Sequence, residues 1–244
     1  QGHIYIRCKY AVVEYDIKKN TFHTIRDNDI QAITYDNARL WVCTRDSLFT
    51  YNRVEDRLDY YYNLEGVRMS CVTEDSAGNL YVGTMNNGLY MIDHNKKWLN
   101  YFPKKDITCI YEDSKKSIWV GTKDDGLFRL DRNGGITNYG TAPHQNMLSS
   151  SYVRCVVEDN LGNYWIGTFK GLDKLDVTTG TFTHYSKDNK PYSLSNSSII
   201  CMMKDRQGTF WIGTYYGGVN LFNPDYEIYT CLLYTSPSPR DMRR

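Results

Sequence analysis

Tyr164-Trp165-Ile166-Gly167-Thr168 is one of four near-identical pentapeptides, the others being Leu80-Tyr81-Val82-Gly83-Thr84, Ile118-Trp119-Val120-Gly121-Thr122 and Phe210-Trp211-Ile212-Gly213-Thr214. An apolar run and a polar turn precede each copy: Glu74-Asp75, Glu112-Asp113, Glu158-Asp159 and, in the last, Lys204-Asp205. A glycine and a second apolar run follow each one, at Gly88-Leu89, Gly126-Leu127, Gly171-Leu172 and Gly218-Val219. Successive copies lie 38 to 46 residues apart, a period that signals equal units in series rather than one globule around one cleft.

Working upstream, Leu40-Trp41-Val42-Cys43-Thr44 carries the pentapeptide with cysteine for glycine, and Ile4-Tyr5-Ile6-Arg7-Cys8 carries it with Arg-Cys for Gly-Thr. Six copies result, the first entered partway through and the last cut short.

One unit, 152–185, reads as four short strands. Tyr152–Val157 is an apolar run of strand length, Asp159-Asn160-Leu161-Gly162 a tight turn, and Tyr164–Thr168 a strand rich in aromatic and β-branched residues. Gly171–Asp176 alternates Leu172 and Leu175 with polar neighbours, and Thr178-Thr179-Gly180 turns into Thr181–Tyr185. Four antiparallel strands in about 40 residues make a propeller blade. Period two excludes helical solenoids, and β-helices use much shorter coils. The expected fold is therefore all-β: a β-propeller of four-stranded antiparallel blades, incomplete, with about five to six blades at 1–28, 30–63, 67–102, 106–139, 152–185 and 198–230.

In that register Trp119, Trp165 and Trp211 belong at blade interfaces, buried. The pentapeptide glycine leaves room for the next blade, and its threonine supplies β-propensity. A residue repeated once per blade describes scaffold, so no catalytic residue is assigned.

Net charge is +1 with acids and bases interspersed, which argues against a nucleic-acid surface. No apolar run approaches the roughly 20 residues that span a bilayer. Of seven cysteines, Cys71, Cys109, Cys155 and Cys201 each precede their pentapeptide threonine by 13 residues and so share one site in four blades. Equivalent sites on neighbouring first strands lie beyond the roughly 7 Å that a disulfide tolerates, which makes these four buried, unpaired thiols. No CxxC or close Cys/His pair suggests zinc, and no metal or other cofactor is expected.

The combination Glu-Asp-x-x-Gly-Asn-x-Trp-Ile-Gly-Thr, then Gly-Leu-x-x-x-Asp and Thr-Gly-x-Phe-x-x-Tyr, resembles the two-component regulator propeller repeat, most closely at 158–185. The connector Pro191-Tyr192-Ser193-Leu194-Ser195-Asn196 resembles that family's inter-blade linker, with 143–150 a looser version. Cys43 and Arg7 for glycine, and Lys116 for the turn glycine, depart from the pattern. The resemblance implies the periplasmic sensor region of a Bacteroides-type hybrid two-component system. Such a fragment is non-catalytic; its parent is a sensor histidine kinase that detects oligosaccharides and controls transcription of glycan-use genes. The parent is expected to dimerise and to reach the membrane only through C-terminal segments outside this chain. Residues 231–241 resemble a translated sequencing adapter, so 231–244 is expected to be a non-native tail and the reading frame to be open at both ends.

Ligands on propellers usually meet the connectors and the loops between second and third strands, here called 2–3 loops. Those loops offer Arg45, Asp46, Asn86, Asn87, Lys123, Asp124, Asp125, Lys170, Tyr215 and Tyr216, amides, charges and aromatic faces suited to a sugar. The competing reading is solvated loop tips. Asp124-Asp125 are adjacent on one loop, which does not fix the carboxylate separation of a glycosidase. A lyase or glycosidase on a propeller scaffold, and a protein-interaction propeller, are the rival functions.

Overall fold

The computed structural model describes residues 2–8, 11–26, 28–140, 146–188, 193–224 and 228–232, and among them all regular structure is β. Pro191, Tyr192, part of the 140–151 connector and residues 233–244 of the expected tail lie outside the described residues.

The strands form antiparallel sheets in chain order. Blade 1 has β1 (His3–Arg7), β2 (Val12–Asp16) and β3 (Thr21–Arg26). Blade 2 has β4 (Ala32–Asp36), β5 (Arg39–Cys43), β6 (Ser47–Asn52) and β7 (Arg57–Asn63). Blade 3 has β8 (Met69–Glu74), β9 (Leu80–Thr84), β10 (Leu89–Ile92) and β11 (Trp98–Tyr101). Blade 4 has β12 (Ile107–Glu112), β13 (Ile118–Thr122), β14 (Leu127–Leu130) and β15 (Ile136–Tyr139). Blade 5 has β16 (Val153–Glu158), β17 (Tyr164–Thr168), β18 (Leu172–Leu175) and β19 (Phe182–Tyr185). Blade 6 has β20 (Ile199–Lys204), β21 (Phe210–Thr214), β22 (Gly218–Asn223) and β23 (Ile228–Leu232), so its last strand takes in Cys231 and Leu232 of the expected tail. Blades 2 to 6 are the four-stranded antiparallel blades of a β-propeller, and blade 1 has three strands. The chain divides into two compact units, Gln1–Glu112 and Asp113–Arg244.

The recurring letters of the repeat have physical jobs. In the turn before the pentapeptide, Asp159 Oδ1 accepts the Leu161 and Asn163 amides, while its Oδ2 accepts the Trp165 indole N–H at 3.0 Å. Asp113 does the same for Ser117 and Trp119, and Asp205 for Gln207, Thr209 and Trp211. The turn closes through a left-handed residue: Gly162 at φ 84°, and Lys116 at φ 66° where the sequence departs from glycine.

The glutamate beside that aspartate reaches back to the preceding blade. Glu112 accepts the Ser76 amide and hydroxyl at 2.9 and 2.7 Å, and Glu158 accepts those of Ser114 at 2.7 and 2.6 Å. Between blades 5 and 6 the pair is replaced by Lys204 and Asn160, 3.4 Å apart.

The threonine is more than a β-former. Its hydroxyl donates across the 2–3 loop to a backbone carbonyl, from Thr84 to Gly88, Thr122 to Gly126, Thr168 to Gly171 and Thr214 to Gly218. That bond pinches each loop shut at its base.

Within the second unit, Trp165 is fully buried against Phe210 and Phe222 of blade 6, at centroid distances of 5.9 and 4.8 Å. Trp119 is buried against Tyr164 of blade 5 at 4.2 Å. In the first unit, Trp41 joins Leu80 and Ile92 of blade 3 in one cluster and donates to Glu74 at 2.7 Å. Trp211 breaks the expectation: it is 39% exposed. A following blade supplies the cover for Trp119 and Trp165, and among the described residues no sheet follows blade 6 in sequence.

A Cβ placed on Gly83 would meet Ile107 of β12 at 2.7 Å, and one on Gly167 would meet Ile199 of β20 at 2.6 Å. The glycine therefore does clear space for the next blade, and it also makes room for the thiols of Cys71 and Cys155 in its own blade. The expected burial of all four cysteines needs correcting. Cys155 is buried, Cys71 and Cys109 are half-buried, and Cys201, on β20 of the last blade, is exposed for the same lack of a following sheet. The Cys71 thiol nonetheless packs beside Gly83, and burial pushes its pKa up to about 12.

Candidate functional site

The 2–3 loops of the first unit are tied into the scaffold by their backbones. The Arg45 carbonyl accepts the Met69 amide at the start of β8, and the Arg45 amide donates to Asp29. The Asp46 carbonyl accepts from Leu64. Asn86, at φ 64°, donates its amide to Asp106 at 2.6 Å, and the Asn87 carbonyl accepts from the Asn100 side chain. Each loop thus grips the connector or strand that follows it. The side chains of Arg45, Asn86 and Asn87 are left exposed, and Asp46 is half-buried.

In the second unit, Lys123, Asp124 and Asp125 form the exposed loop of blade 4, with the Asp125 amide on the Thr122 hydroxyl. Phe169 and Lys170 form the loop of blade 5, with the Lys170 amide on the Thr168 hydroxyl and the Phe169 amide on the Tyr152 carbonyl. Tyr215 and Tyr216 form that of blade 6, with the Tyr215 amide on the Ser198 carbonyl. The carbonyls of Tyr152 and Ser198 come from residues just before β16 and β20, so each 2–3 loop sits beside the entry to its blade's first strand.

Arg154 joins the two blades at that end. Its guanidinium lies 4.6 Å from the Tyr152 ring centroid and 5.3 Å from that of Phe169, and donates to Ser198 Oγ and the Ile199 carbonyl at 3.1 and 3.0 Å. Tyr152 and Phe169 stack nearly parallel, at 6.3 Å and 14°. Sequence reasoning passed over Tyr152 and Arg154 because they read as ordinary letters of a first strand. The available signal was an arginine in an otherwise apolar run.

The long connectors are hooked down. The Ser149 amide and hydroxyl both donate to Asp173 Oδ2, at 2.8 and 2.9 Å, and His184 Nδ1 bonds its other oxygen at 2.8 Å, which accounts for a carboxylate with no exposure. In blade 6, Ser195 makes the matching pair of bonds with Asn220. The Leu-Ser of each linker is therefore a buried plug and a hydrogen-bonding hook, with Leu148 and Leu194 both buried.

Concavities also occur between blades. One of about 580 Å³, in the first unit, is lined by His3, Tyr5, Tyr35 and Arg53, where Tyr5 stands in the tryptophan position. A second, of about 150 Å³, runs beside Trp119, Arg129 and Tyr164. No group of three or more His, Cys, Asp or Glu side chains among the described residues has metal-binding geometry. No helix among them is long and apolar enough to cross a membrane.

The two-component regulator propeller family model matches residues 101–124, 147–170 and 193–216, segments that each run from a connector through the first two strands into a 2–3 loop. No curated protein matches the chain. Among solved structures, the extracellular domain of a hybrid two-component system of B. thetaiotaomicron is 26% identical with a TM-score of 0.76, over 91% of this chain and 32% of that one. The present chain thus spans about a third of that structure. Virginiamycin B lyase of Staphylococcus aureus (13% identity, TM-score 0.72, 93% of this chain and 79% of that one) is similar in fold. So is PorZ of Porphyromonas gingivalis (15%, 0.72, 98% and 41%). Blades 4, 5 and 6 thus each carry a segment that matches the two-component regulator propeller repeat.

Proposed function

We propose that this chain is part of the periplasmic sensing region of a hybrid two-component signalling protein, and that it binds an oligosaccharide and takes no part in chemistry itself. The observation that carries the reading is the pairing of regulator propeller repeats with a 26% identical extracellular sensor domain over nine-tenths of the chain. The 2–3 loops support it, because they present exposed Arg45, Asn86, Asn87, Lys123, Asp124, Asp125, Lys170, Tyr215 and Tyr216 on rigid pinched bases. Rigid blades leave little internal motion, so the bound state would be transmitted by a change in packing between propellers or between the protomers of a dimeric parent. The output would be altered transcription of glycan-use genes.

Calorimetric titration of the extracytoplasmic region containing these blades, against a panel of oligosaccharides, tests the reading. A saturable heat with at least one member is expected, together with a loss of at least tenfold in affinity on replacing Lys123, Asp124 and Asp125 by alanine. Absence of binding across the panel would remove the sugar. Binding undisturbed by the loop replacements would move the site elsewhere.

A further inference from the structure

Tyr216 is in the wrong conformation for a tyrosine. Its φ is 56°, in the left-handed region where a bulky side chain crowds its own backbone. Blade 3 has Asn86 at the same loop position, at φ 64°, and asparagine takes that conformation readily. Tyr216 is also 91% exposed, so burial of its ring does not offset the strain. Its ring meets Tyr215 edge-on at 4.3 Å, and Tyr215 is itself half exposed to solvent. A short chain of contacts links this pair to blade 5: the Tyr215 amide to the Ser198 carbonyl, Ser198 Oγ to Arg154, and Arg154 across Tyr152 and Phe169.

We infer that Phe169, Tyr215 and Tyr216 form a stacking platform for a pyranose ring, with Tyr152, which packs on Phe169, and Arg154, which packs on Phe169 and bonds the entry to β20, as the positioning residues. The inference rests on the saccharide reading above for its ligand class. A pyranose with equatorial hydroxyls shows an apolar face of axial C–H bonds that fits an aromatic surface, and exposed rings held on pinched loops supply one without the entropic cost of ordering them on binding. Arg154 is occupied by Ser198 and Ile199, so its part is to fix the platform and not to touch the sugar.

Saturation-transfer-difference NMR on this chain, with cello-, xylo-, manno- and galactotetraose as probes and sorbitol as an acyclic control, reads the contact directly. The expected result is saturation concentrated on ring C–H protons of at least one tetrasaccharide and absent from sorbitol. Tyr216→Asn removes the ring and relieves the backbone, so it should lower saturation at least fivefold while leaving the melting temperature equal or higher. Tyr216→Phe should keep the signal, and Phe169→Ala should weaken it. Wild-type saturation in Tyr216→Asn overturns the platform and leaves oligosaccharide sensing standing. Equal saturation of sorbitol overturns ring stacking. No saturation from any tetrasaccharide overturns the platform, and no heat in the calorimetric panel as well removes the saccharide reading with it.

Discussion

Blades 5 and 6 contain pentapeptides that differ only in Tyr164 against Phe210, yet Trp165 is fully buried and Trp211 is 39% exposed. Both indoles donate to the turn aspartate of their own blade at 3.0 Å, and both strands pair in the same register with their neighbours. The difference is what comes next. Blade 6 lays Phe210 and Phe222 over Trp165, while nothing described follows blade 6. The pentapeptide therefore encodes two things that separate here: a turn-locked strand, complete within one blade, and half of an interface, which needs a second blade.

The largest effect expected from that separation is on stability. Trp165→Ala should cost about 3–5 kcal/mol, as a large-to-small change in a packed core. Trp211→Ala gives up a smaller buried area and should cost about 1–2 kcal/mol. Urea melts of the two variants measure the gap, and equal midpoints would mean that the interface adds nothing to what each blade holds alone.

A smaller effect is expected at the glycines, neither of which needs a left-handed backbone. On Gly167 an added Cβ presses on Ile199 and the Cys155 thiol; on Gly213 it meets the Cys201 thiol at 2.8 Å and nothing from a following blade. Gly167→Ala should thus destabilise by about 1–3 kcal/mol as overpacking. Gly213→Ala should stay within about 0.5 kcal/mol of wild type, since an exposed thiol can turn away. Blade 2 shows how the chain itself tolerates a side chain there. Cys43 replaces the glycine, Ala32 stands opposite it where blades 3 and 5 have cysteine, and the adjoining residue of β8 is the unbranched Met69. If Gly167→Ala proved neutral, the glycine would be a matter of β-sheet backbone and not of space between blades.

The blades were legible because their determinants are local and repeated: period two, turn glycine, aspartate and tryptophan recur at fixed offsets. Gly167 was read correctly as clearance because its neighbour repeats too. Trp211 and Cys201 were misread for the converse reason. Their sequence context is that of Trp165 and Cys155, and burial depends on a partner that no local pattern announces. Glu112 and Glu158 lay hidden similarly, since a side chain reaching back to Ser76 or Ser114 looks in sequence like half of an acidic turn. At the candidate site, the loop residues proposed as contacts follow from their place after the pentapeptide. Arg154 was not, because its role comes from joining two blades, and the strain at Tyr216 exists only in the backbone.

The thiols give the finest reading of the same contrast. A thiol reagent attacks the thiolate, so labelling falls with burial twice, through access and through a raised pKa. Cys201 is exposed and Cys155, at the equivalent site one blade earlier, is buried against Gly167 and close to Ile199. Cys71 has its pKa pushed up to about 12, and Cys43 is driven well above the ordinary thiol range by complete burial and by Cys71 beside it. At pH 8 under native conditions, peptide mapping after a timed pulse of iodoacetamide should therefore find Cys201 modified at least tenfold faster than Cys155, Cys71 or Cys43. Raising the pH to 9 should speed Cys71 and Cys43 by no more than the tenfold rise in thiolate that a pKa above both values allows, leaving access as the remaining barrier. Cys8 is exposed and serves as the internal standard for free access. Adding Trp165→Ala sharpens the contrast, because opening the interface between blades 5 and 6 should bring Cys155 toward the Cys201 rate without altering Cys43. If Cys155 already reacted as fast as Cys201 in the wild type, the closed interface would open too often in solution to protect anything.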